Sequence, residues 1–493
     1  MGYPPVCYEI FVRSFCDSNN DGIGDINGVT SKLDYLFDLG IRGIWLTPIQ
    51  PSPSYHKYDV TDYYGIDAEY GTLEEYRLLL SEAHKRGIKV YMDLVIHHTS
   101  IQHKWFLSAK GSPQSLYRRY YRWMTKEQIT DLGLGVRELT QDAHTVNPWH
   151  KLHGDDERYL GVFSREMADL NFDHAPLSSE MDRIIHFWLN EVGVDGFRLD
   201  AARHIYPVWE SERNPIFWRE FSRRVENVKP DAFLVGEVWA DTDEVAPYYE
   251  GLKANFNFDL WMRIGEVFTH CRHLDLVKWL RSQRKTFEAV SEGFVDAIML
   301  SNHDQQRIGS TLKGRPGLMK LAAAILLTLP GQPYLYYGEE IGMLGKKPDP
   351  FLREPFLWGD SNSDTRWKVP KFSKLGVVKP LADALCEADS LYYCYKNLIR
   401  IRNRHPEIGA VNFTRIEEVA DVPESVLAYV RPGDDRVFLI FHNLLNKPQN
   451  IALPLEYPAR KFVRYATSPD YNLNVSLLRL GGYNSLIIQV EKD

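Results

Sequence analysis

The sequence predicts an α/β chain built on a (β/α)8 TIM barrel, with a subdomain inserted after strand 3 and an antiparallel β-sandwich at the C-terminus. Three observations predict it. Short β-branched and aromatic runs alternate with longer helical patterns, the signal for βα units and a parallel sheet. Eight such runs can be counted, the number that closes a barrel of this kind. At 493 residues the chain also has room for a barrel of about 250 residues or more, with insertions and an appended module.

The runs are YEIFVRSF (residues 8–15), RGIWLTPI (42–49), KVYMDLVI (89–96), VDGFRLD (194–200), FLVGEVW (233–239), NFNFDL (255–260), VDAIMLSN (295–302) and QPYLYYG (332–338). Between them, helices carry readable ends. Thr72 and Glu75 form a capping box, Leu73, Tyr76, Leu80 and Ala83 share a face, and Gly87 supplies the stop. Over residues 178–192, Met181, Ile184, Trp188 and Val192 recur at helical spacing and mark core, with Gly193 ending the helix. The most apolar stretch, residues 318–330, contains Lys320 and is too short to span a bilayer, so it reads as a buried barrel helix. The insertion at about residues 100–171 far exceeds the usual 2–6 residues of a βα loop and predicts a lid-like subdomain. After residue 409 short alternating strands such as VLAYV, RVFLIFHN and NSLIIQV predict the sandwich. The expected organisation is a barrel of residues 1–99 and 172–409, an inserted domain 100–171 and a C-terminal domain 410–493.

A composition of 44% hydrophobic and 25% charged residues is that of an ordinary globular chain. The net charge of -8 provides no field for a phosphate backbone, which argues against nucleic acid and for a neutral ligand. Aromatic residues at 13% suit stacking on sugar faces and equally suit a large core. Cys7, Cys16, Cys271, Cys386 and Cys394 are odd in number and lack metal-type spacing, so free thiols are expected. The opening MGYPPVCYEIFVRSF has no basic stretch followed by an apolar one, so a cytoplasmic chain is expected, or a secreted one if an export signal has been removed; a monomer with no membrane partner is expected as well.

Polar residues ending apolar strands line the active face of such a barrel. Strand three supplies Asp93, His97 and His98, strand four Arg198 and Asp200, strand five Glu237, and strand seven is followed by His303 and Asp304. One strand-terminal Asp is more often a helix cap or ion-pair partner than a catalyst. Three acids converging with Arg and His are different. Crowded like charges are destabilising unless the site uses them, and glycosidic cleavage needs two carboxyl groups about an oxocarbenium-like centre. Arg198, two residues before Asp200, shares its side of the strand and can hold that carboxylate ionised.

DLVIHH (93–98), MADLN (167–171), GVDGFRLDAARH (193–204), FLVGEVW (233–239) and SNHD (301–304) together resemble the α-amylase superfamily of glycoside hydrolases, over nearly the whole chain from Tyr8 onward. The resemblance implies Asp200 as nucleophile, Glu237 as general acid/base and Asp304 as transition-state stabiliser. Glu237 is then expected to be held protonated by neighbouring carboxylates and by burial against Trp239. The resemblance also implies that His98 and His303 donate to hydroxyls of the reacting sugar, with Arg198 and His204 completing the substrate-binding set. Residues 52–64, SPSYHKYDVTDYY, resemble the family segment whose Tyr stacks on glucose, which makes Tyr58 that residue with Asp59 beside it. Lys57 replaces the usual small residue before it and is expected either to charge the site rim or to stand in solvent.

The loop DSNNDGIGD (17–25) places oxygen side chains on alternate residues and resembles an EF-hand ligand loop without its final Glu. Asp17, Asn19, Asp21, Asp25 and the Ile23 carbonyl are the expected ligands of a structural calcium, with a plain turn as the alternative. His97 stands where many α-amylases have an Asn that binds calcium. Imidazole is a poor ligand for that ion, so no calcium is expected there, and side-chain hydrogen bonds are expected to hold the junction instead. YGEEIGM (337–343) and LREPFLW (352–358) are most similar to bacterial α-amylases and to their trehalose-synthase and oligo-α-glucosidase relatives. Ala201 after the nucleophile is a small residue, as related α-glucosidases acting on α-1,4 bonds tend to have where 1,6-specific ones have Val, so the resemblance implies α-1,4 bonds. The expected activity is retaining hydrolysis of α-1,4 bonds in starch, maltodextrins or maltooligosaccharides. The alternatives are a trehalose synthase or 4-α-glucanotransferase, an exo-acting oligo-α-glucosidase, and a non-enzymatic sugar-binding barrel, against which the three retained acids argue.

Overall fold

The computed structural model describes residues 5–134, 147–409, 415–454 and 461–491. Eight parallel strands form one closed barrel: β1 (Cys7–Ile10), β2 (Gly43–Leu46), β3 (Lys89–Leu94), β4 (Gly196–Leu199), β5 (Phe233–Gly236), β6 (Ala254–Phe256), β7 (Val295–Met299) and β8 (Gln332–Tyr336), each next to its neighbour in sequence. All eight expected strands are present, and each stops short of its expected C-terminal end. Residues past those ends, such as Val95, Ile96, Val238 and Leu300, are as buried as the strands themselves. The apolar pattern therefore continues where the ladder does not. At β1 the run turns into one helical turn, Val12–Phe15. At β6 it stops at Asn257, whose side chain caps the helix Phe258–His270 by accepting from Leu260 N at 2.8 Å.

The chain groups into two compact units, one of Met1–Ile44, Lys85–Lys89 and Asn257–Asp493, the other of Trp45–His84 and Val90–Phe256. In the second unit β3, β4, β5 and β6 run side by side. Gly196 faces Phe233 in this ladder, and a Cβ there would lie 1.9 Å from the Phe233 carbonyl, so only glycine permits the close approach. The helix expected from residue 178 begins three residues earlier, as Ala175–His186 with a proline in its first turn, and widens to π geometry over Phe187–Val192. Gly193 then ends it at φ 97°. Trp188 is fully buried, with its indole N–H on the Tyr63 carbonyl at 2.8 Å. The Thr72–Glu75 capping box forms, Glu75 N donating to Thr72 Oγ1 and Thr72 N to Glu75 Oε2.

The inserted segment has its own small sheet of Trp123–Thr125, Glu157–Leu160 and Trp149–Lys151, over a core of Ile129, Trp149, Leu160 and Val162. Residues 135–146 of it lie outside the described residues. A second ladder pairs His98–Ser100 with Met167–Asp169, so the insertion leaves and rejoins the barrel as two adjacent strands.

In the first unit the apolar helix Pro316–Thr328 is buried from Leu321 onward, and Lys320 reaches Asp389 at 2.6 Å. No helix among the described residues is long and apolar enough to cross a membrane. The C-terminal region is a sandwich of a five-stranded antiparallel sheet and a three-stranded one, sharing a core that includes Leu439, Phe441, Ile451, Leu478 and Ile488. All five cysteines are free thiols.

Candidate active site

The second unit builds one cluster around a single guanidinium. Gly236 of β5 pairs with Leu199 of β4, so the next residues, Glu237 and Asp200, leave adjacent strands side by side. Arg198 points to the same side and is 1% exposed. Its Nη1 donates to Asp200 Oδ1 at 2.6 Å and to Asp93 Oδ1 and Oδ2 at 2.9 and 3.0 Å, while Nη2 lies 2.8 Å from Glu237 Oε1. Burial alone would lower the Arg198 pKa, but Asp93 and Glu237, followed by Tyr58 and Asp200, raise it well above its ordinary value. The cation is permanent, and so is its hold on the carboxylates.

Asp93 received no role from the sequence, yet it is fully buried and anchors this cluster. It accepts from Tyr58 Oη at 2.9 Å and from the Trp45 indole at 3.3 Å as well as from Arg198. Tyr58 is thus tied to the floor of the site, its ring centroid 5.7 Å from the Arg198 guanidinium carbon. Glu237 has a guanidinium as its close neighbour, where carboxylates were expected, and its Oε2 accepts from Ala201 N at 3.0 Å. Both contacts suit a carboxylate. The proton for general acid catalysis therefore has to be favoured by what enters beside it.

The two histidines of β3's extension are neutral. Burial, above all, lowers the pKa of His97 well below its ordinary value and lowers that of His98, the latter against the pull of Asp200. His98 Nε2 is 3.1 Å from the Tyr58 carbonyl, which can only accept, so the His98 proton sits there. Its Nδ1 lies 2.9 Å from His97 Nδ1. In this arrangement the His98 ring is held against Tyr58 of the same cluster. His97 Nε2 lies 3.7 Å from Asp169, at the junction with the insertion. His204 is buried edge-on against Phe163 and His97, at 5.3 and 6.1 Å between ring centroids. Asp59 accepts from Ser52 Oγ at 2.7 Å and from Ser54 Oγ, which makes it a brace of its own loop.

Lys57 is neither at the rim in solvent nor a free charge. Its side chain is 3% exposed and ion-paired to Asp67 at 2.8 Å and Glu69 at 2.7 Å, which fixes the loop that presents Tyr58.

The first unit builds a second cluster. Asp304 Oδ1 accepts from Arg353 Nη2 at 2.7 Å, and Oδ2 lies 3.2 Å from His303 Nε2. His303 Nδ1 lies 2.6 Å from Glu9 Oε1. Burial would raise the Asp304 pKa, but His303, Arg353 and Lys347 hold it well below the usual carboxylate range. Burial would lower that of His303, but Asp304 and Glu9 push it up to about 10. Both ring nitrogens are engaged within the chain, by Glu9 and Asp304. Glu9 and Arg353 carried no signal by themselves; Glu9 is a charged residue in an otherwise apolar buried run, and Arg353 stands beside a second buried charge, Glu354.

The Asp17–Asp25 loop holds its shape on its own backbone. Asp17 accepts from Asn19, Asn20 and Gly22 N, Asn19 from Asp21 N, Asp21 from Ile23 N, and Asp25 from Ser18 and Gly28 N. Arg366 lies 4.0 Å from Asp17 Oδ2. The donor set is all oxygen, and carboxylates with further lone pairs suit a hard ion. Among the described residues no group of three or more His, Cys, Asp or Glu side chains is arranged to hold a metal.

The family model described as the catalytic domain of alpha amylase matches residues 9–410. The chain belongs to the alpha-amylase family. Alpha-amylase 3 of Dictyoglomus thermophilum is 40% identical over 488 residues, covering 98% of this chain and 93% of that protein. A 4-alpha-glucanotransferase of Thermotoga maritima is 36% identical over 454 residues, covering 89% and 95%. The crystal structure of an alpha-amylase from H. orenii matches with a TM-score of 0.89 and 37% identity over 100% of both chains. As a member of the alpha-amylase family the chain is a glycoside hydrolase of the alpha-amylase type.

Proposed function

We propose that this enzyme hydrolyses α-1,4-glucosidic bonds in starch, maltodextrins or maltooligosaccharides with retention of configuration, through a covalent glycosyl-enzyme. Asp200 is the nucleophile, Glu237 the general acid and then base, and Asp304 the charge that stabilises the oxocarbenium-like transition state. The observation that carries this reading is Arg198. One guanidinium holds both Asp200 and Glu237. A shared guanidinium, 2.6 Å from Asp200 and 2.8 Å from Glu237, keeps the two carboxyls close together, which supports a retaining mechanism, whose carboxyls stand about 5–5.5 Å apart, over an inverting one. Arg198 Nη1, 2.6 Å from Asp200 Oδ1, holds that carboxyl in place for attack on the anomeric carbon. Glu237 gives its proton to the departing oxygen when a glucoside replaces water beside it, and then takes one from the water that releases the product.

The α-1,4 preference is supported by Ala201, whose small side chain leaves room next to the nucleophile. A calcium ion on Asp17, Asn19, Asp21, Asp25 and the Ile23 carbonyl belongs to the same reading, with a structural role. The glucanotransferase relative supports a second reading, in which a sugar hydroxyl rather than water resolves the intermediate. Product analysis on maltoheptaose decides between them. Shorter α-anomeric maltooligosaccharides without longer products support hydrolysis; chains longer than the substrate support transfer, and β-anomeric initial products overturn both. Asp200→Asn should abolish turnover in a protein that still folds.

A further inference from the structure

We propose that Glu9, buried on β1, is a positioning residue that holds His303 as an imidazolium donating from both ring nitrogens and thereby fixes the charge and place of Asp304. The inference rests on the role given to Asp304 above; the hold of Glu9 on His303 is testable without it.

The geometry sets the protonation state. Glu9 is 1% and His303 0% exposed, so neither has bulk water as a partner. Glu9 Oε1 is 2.6 Å from His303 Nδ1 and accepts from His303 N at 3.2 Å, and Asp304 Oδ2 is 3.2 Å from Nε2. A carboxylate offers only acceptors, so a ring set between two of them presents a proton to each and carries a positive charge. A neutral ring would oppose a bare nitrogen to a carboxylate oxygen inside the protein, where unpaired acceptors are costly. Both carboxyls also accept from other groups. Asp304 already takes an Arg353 N–H at 2.7 Å, and Glu9 takes the His303 backbone N–H.

Other charged and titratable groups stand near the pair, among them Asp349, 3.6 Å from Arg353 Nη2. Arg353 Nε donates to the His303 carbonyl at 2.9 Å, and Lys347 acts on Asp304. Tyr336 and Glu339 feel the charge of Glu9, and both have raised pKa values, chiefly from burial, which favours their neutral forms. Glu9, His303, Asp304 and Arg353 thus alternate in sign along one chain of contacts. The two cations bracket Asp304, whose side chain is 35% exposed and would otherwise be free to turn. Glu9 supplies the charge that keeps the inner of these cations protonated against burial. Asp304 and Glu9 push the His303 pKa up to about 10 against its burial, in keeping with this arrangement.

The test is a pH titration of the wild-type enzyme with carbon-13-labelled histidine, the His303 signal being assigned from a His303→Gln sample. The wild-type signal should stay that of an imidazolium from pH 6 to about pH 9. In Glu9→Gln the His303 pKa should fall by about 1–3 units, the usual effect of losing one close opposite charge. In the same variant kcat on maltotriose should decline with rising pH at the new pKa, while KM changes less than twofold. Glu9→Asp, which keeps the charge, should restore the wild-type profile in part. A wild-type His303 that titrates near its ordinary 6.5 overturns the proposal with no variant needed, and so does a Glu9→Gln enzyme with unmoved His303 pKa. If Asp304→Asn retains full kcat, the catalytic role of Asp304 fails, and the wild-type titration still decides whether Glu9 holds His303.

Discussion

Ala201 makes the link between backbone conformation and chemistry measurable. It follows Asp200 at φ 47° and ψ 40°, in the left-handed region, and its N–H reaches Glu237 Oε2 at 3.0 Å. That conformation costs a non-glycine residue about 1–2 kcal/mol, which Ala already bears. Ala201→Val adds a β-branch there, so a further loss of about 1–2 kcal/mol is expected, read as a lower thermal midpoint. If the chain relieves the strain by rotating out of the left-handed region, the N–H leaves Glu237. A hydrogen bond to a charged group contributes about 1.5–3 kcal/mol, so a tenfold to hundredfold loss of kcat on maltotriose follows. Ala201→Gly should keep kcat within about threefold, because glycine takes this conformation freely and retains the N–H. The assay pairs a melting curve with steady-state kinetics on both variants. An Ala201→Val enzyme with wild-type kcat and midpoint would refute the reasoning, as would an Ala201→Gly enzyme as impaired as the valine variant.

Lys57→Met removes a buried cation and leaves the nearly buried Asp67 uncompensated. A stability loss of roughly 3 kcal/mol is expected, with weaker maltotriose binding as the Tyr58 loop loosens; an unchanged melting midpoint would contradict the buried-pair account. Chelation should lower the melting midpoint of an enzyme carrying calcium on the Asp17–Asp25 loop more than it changes the initial rate of the still-folded protein, because the ion stabilises only the native state. Equal midpoints with chelator and with millimolar calcium would remove the calcium proposal. The Asp304 pKa is depressed and that of His303 raised, so their mutual stabilisation exists above the unfolded Asp value and below the unfolded His value, is lost as pH falls through the depressed Asp304 pKa, and is lost at the other end as pH rises through about 10. Asp304→Asn should abolish the acid limb of this dependence in a stability–pH curve; an unaltered curve would mean the pair is not coupled.

What the sequence made legible follows from short-range physics. Strand positions, the Thr72–Glu75 cap and the Gly193 stop depend on neighbours a few residues away, and all are found where the periodicity and capping rules put them. Strand ends were read too long because residues such as Ile96 and Leu300 stay buried after leaving the ladder, and burial is what an apolar pattern reports. The pairing of Arg198 with Asp200 was legible from a two-residue offset. Its simultaneous grip on Asp93 and Glu237 was not, since those partners come from other strands. The same limit hid Glu9, which is 294 residues from His303. Lys57 shows the converse case. A lysine in a polar loop reads as solvated, and only the fold reveals that Asp67 and Glu69 enclose it.

The central claim is that Asp200 attacks the anomeric carbon and carries the sugar. The most direct measurement is to trap that intermediate with a fluorinated α-glucosyl fluoride that forms it quickly and releases it slowly, then to locate the label by peptide mass mapping. The account predicts one sugar per chain, bonded to Asp200 and absent from Asp200→Asn. A label on Glu237 or Asp304 instead, or rapid turnover of the reagent to β-glucose with no labelled peptide, would contradict it.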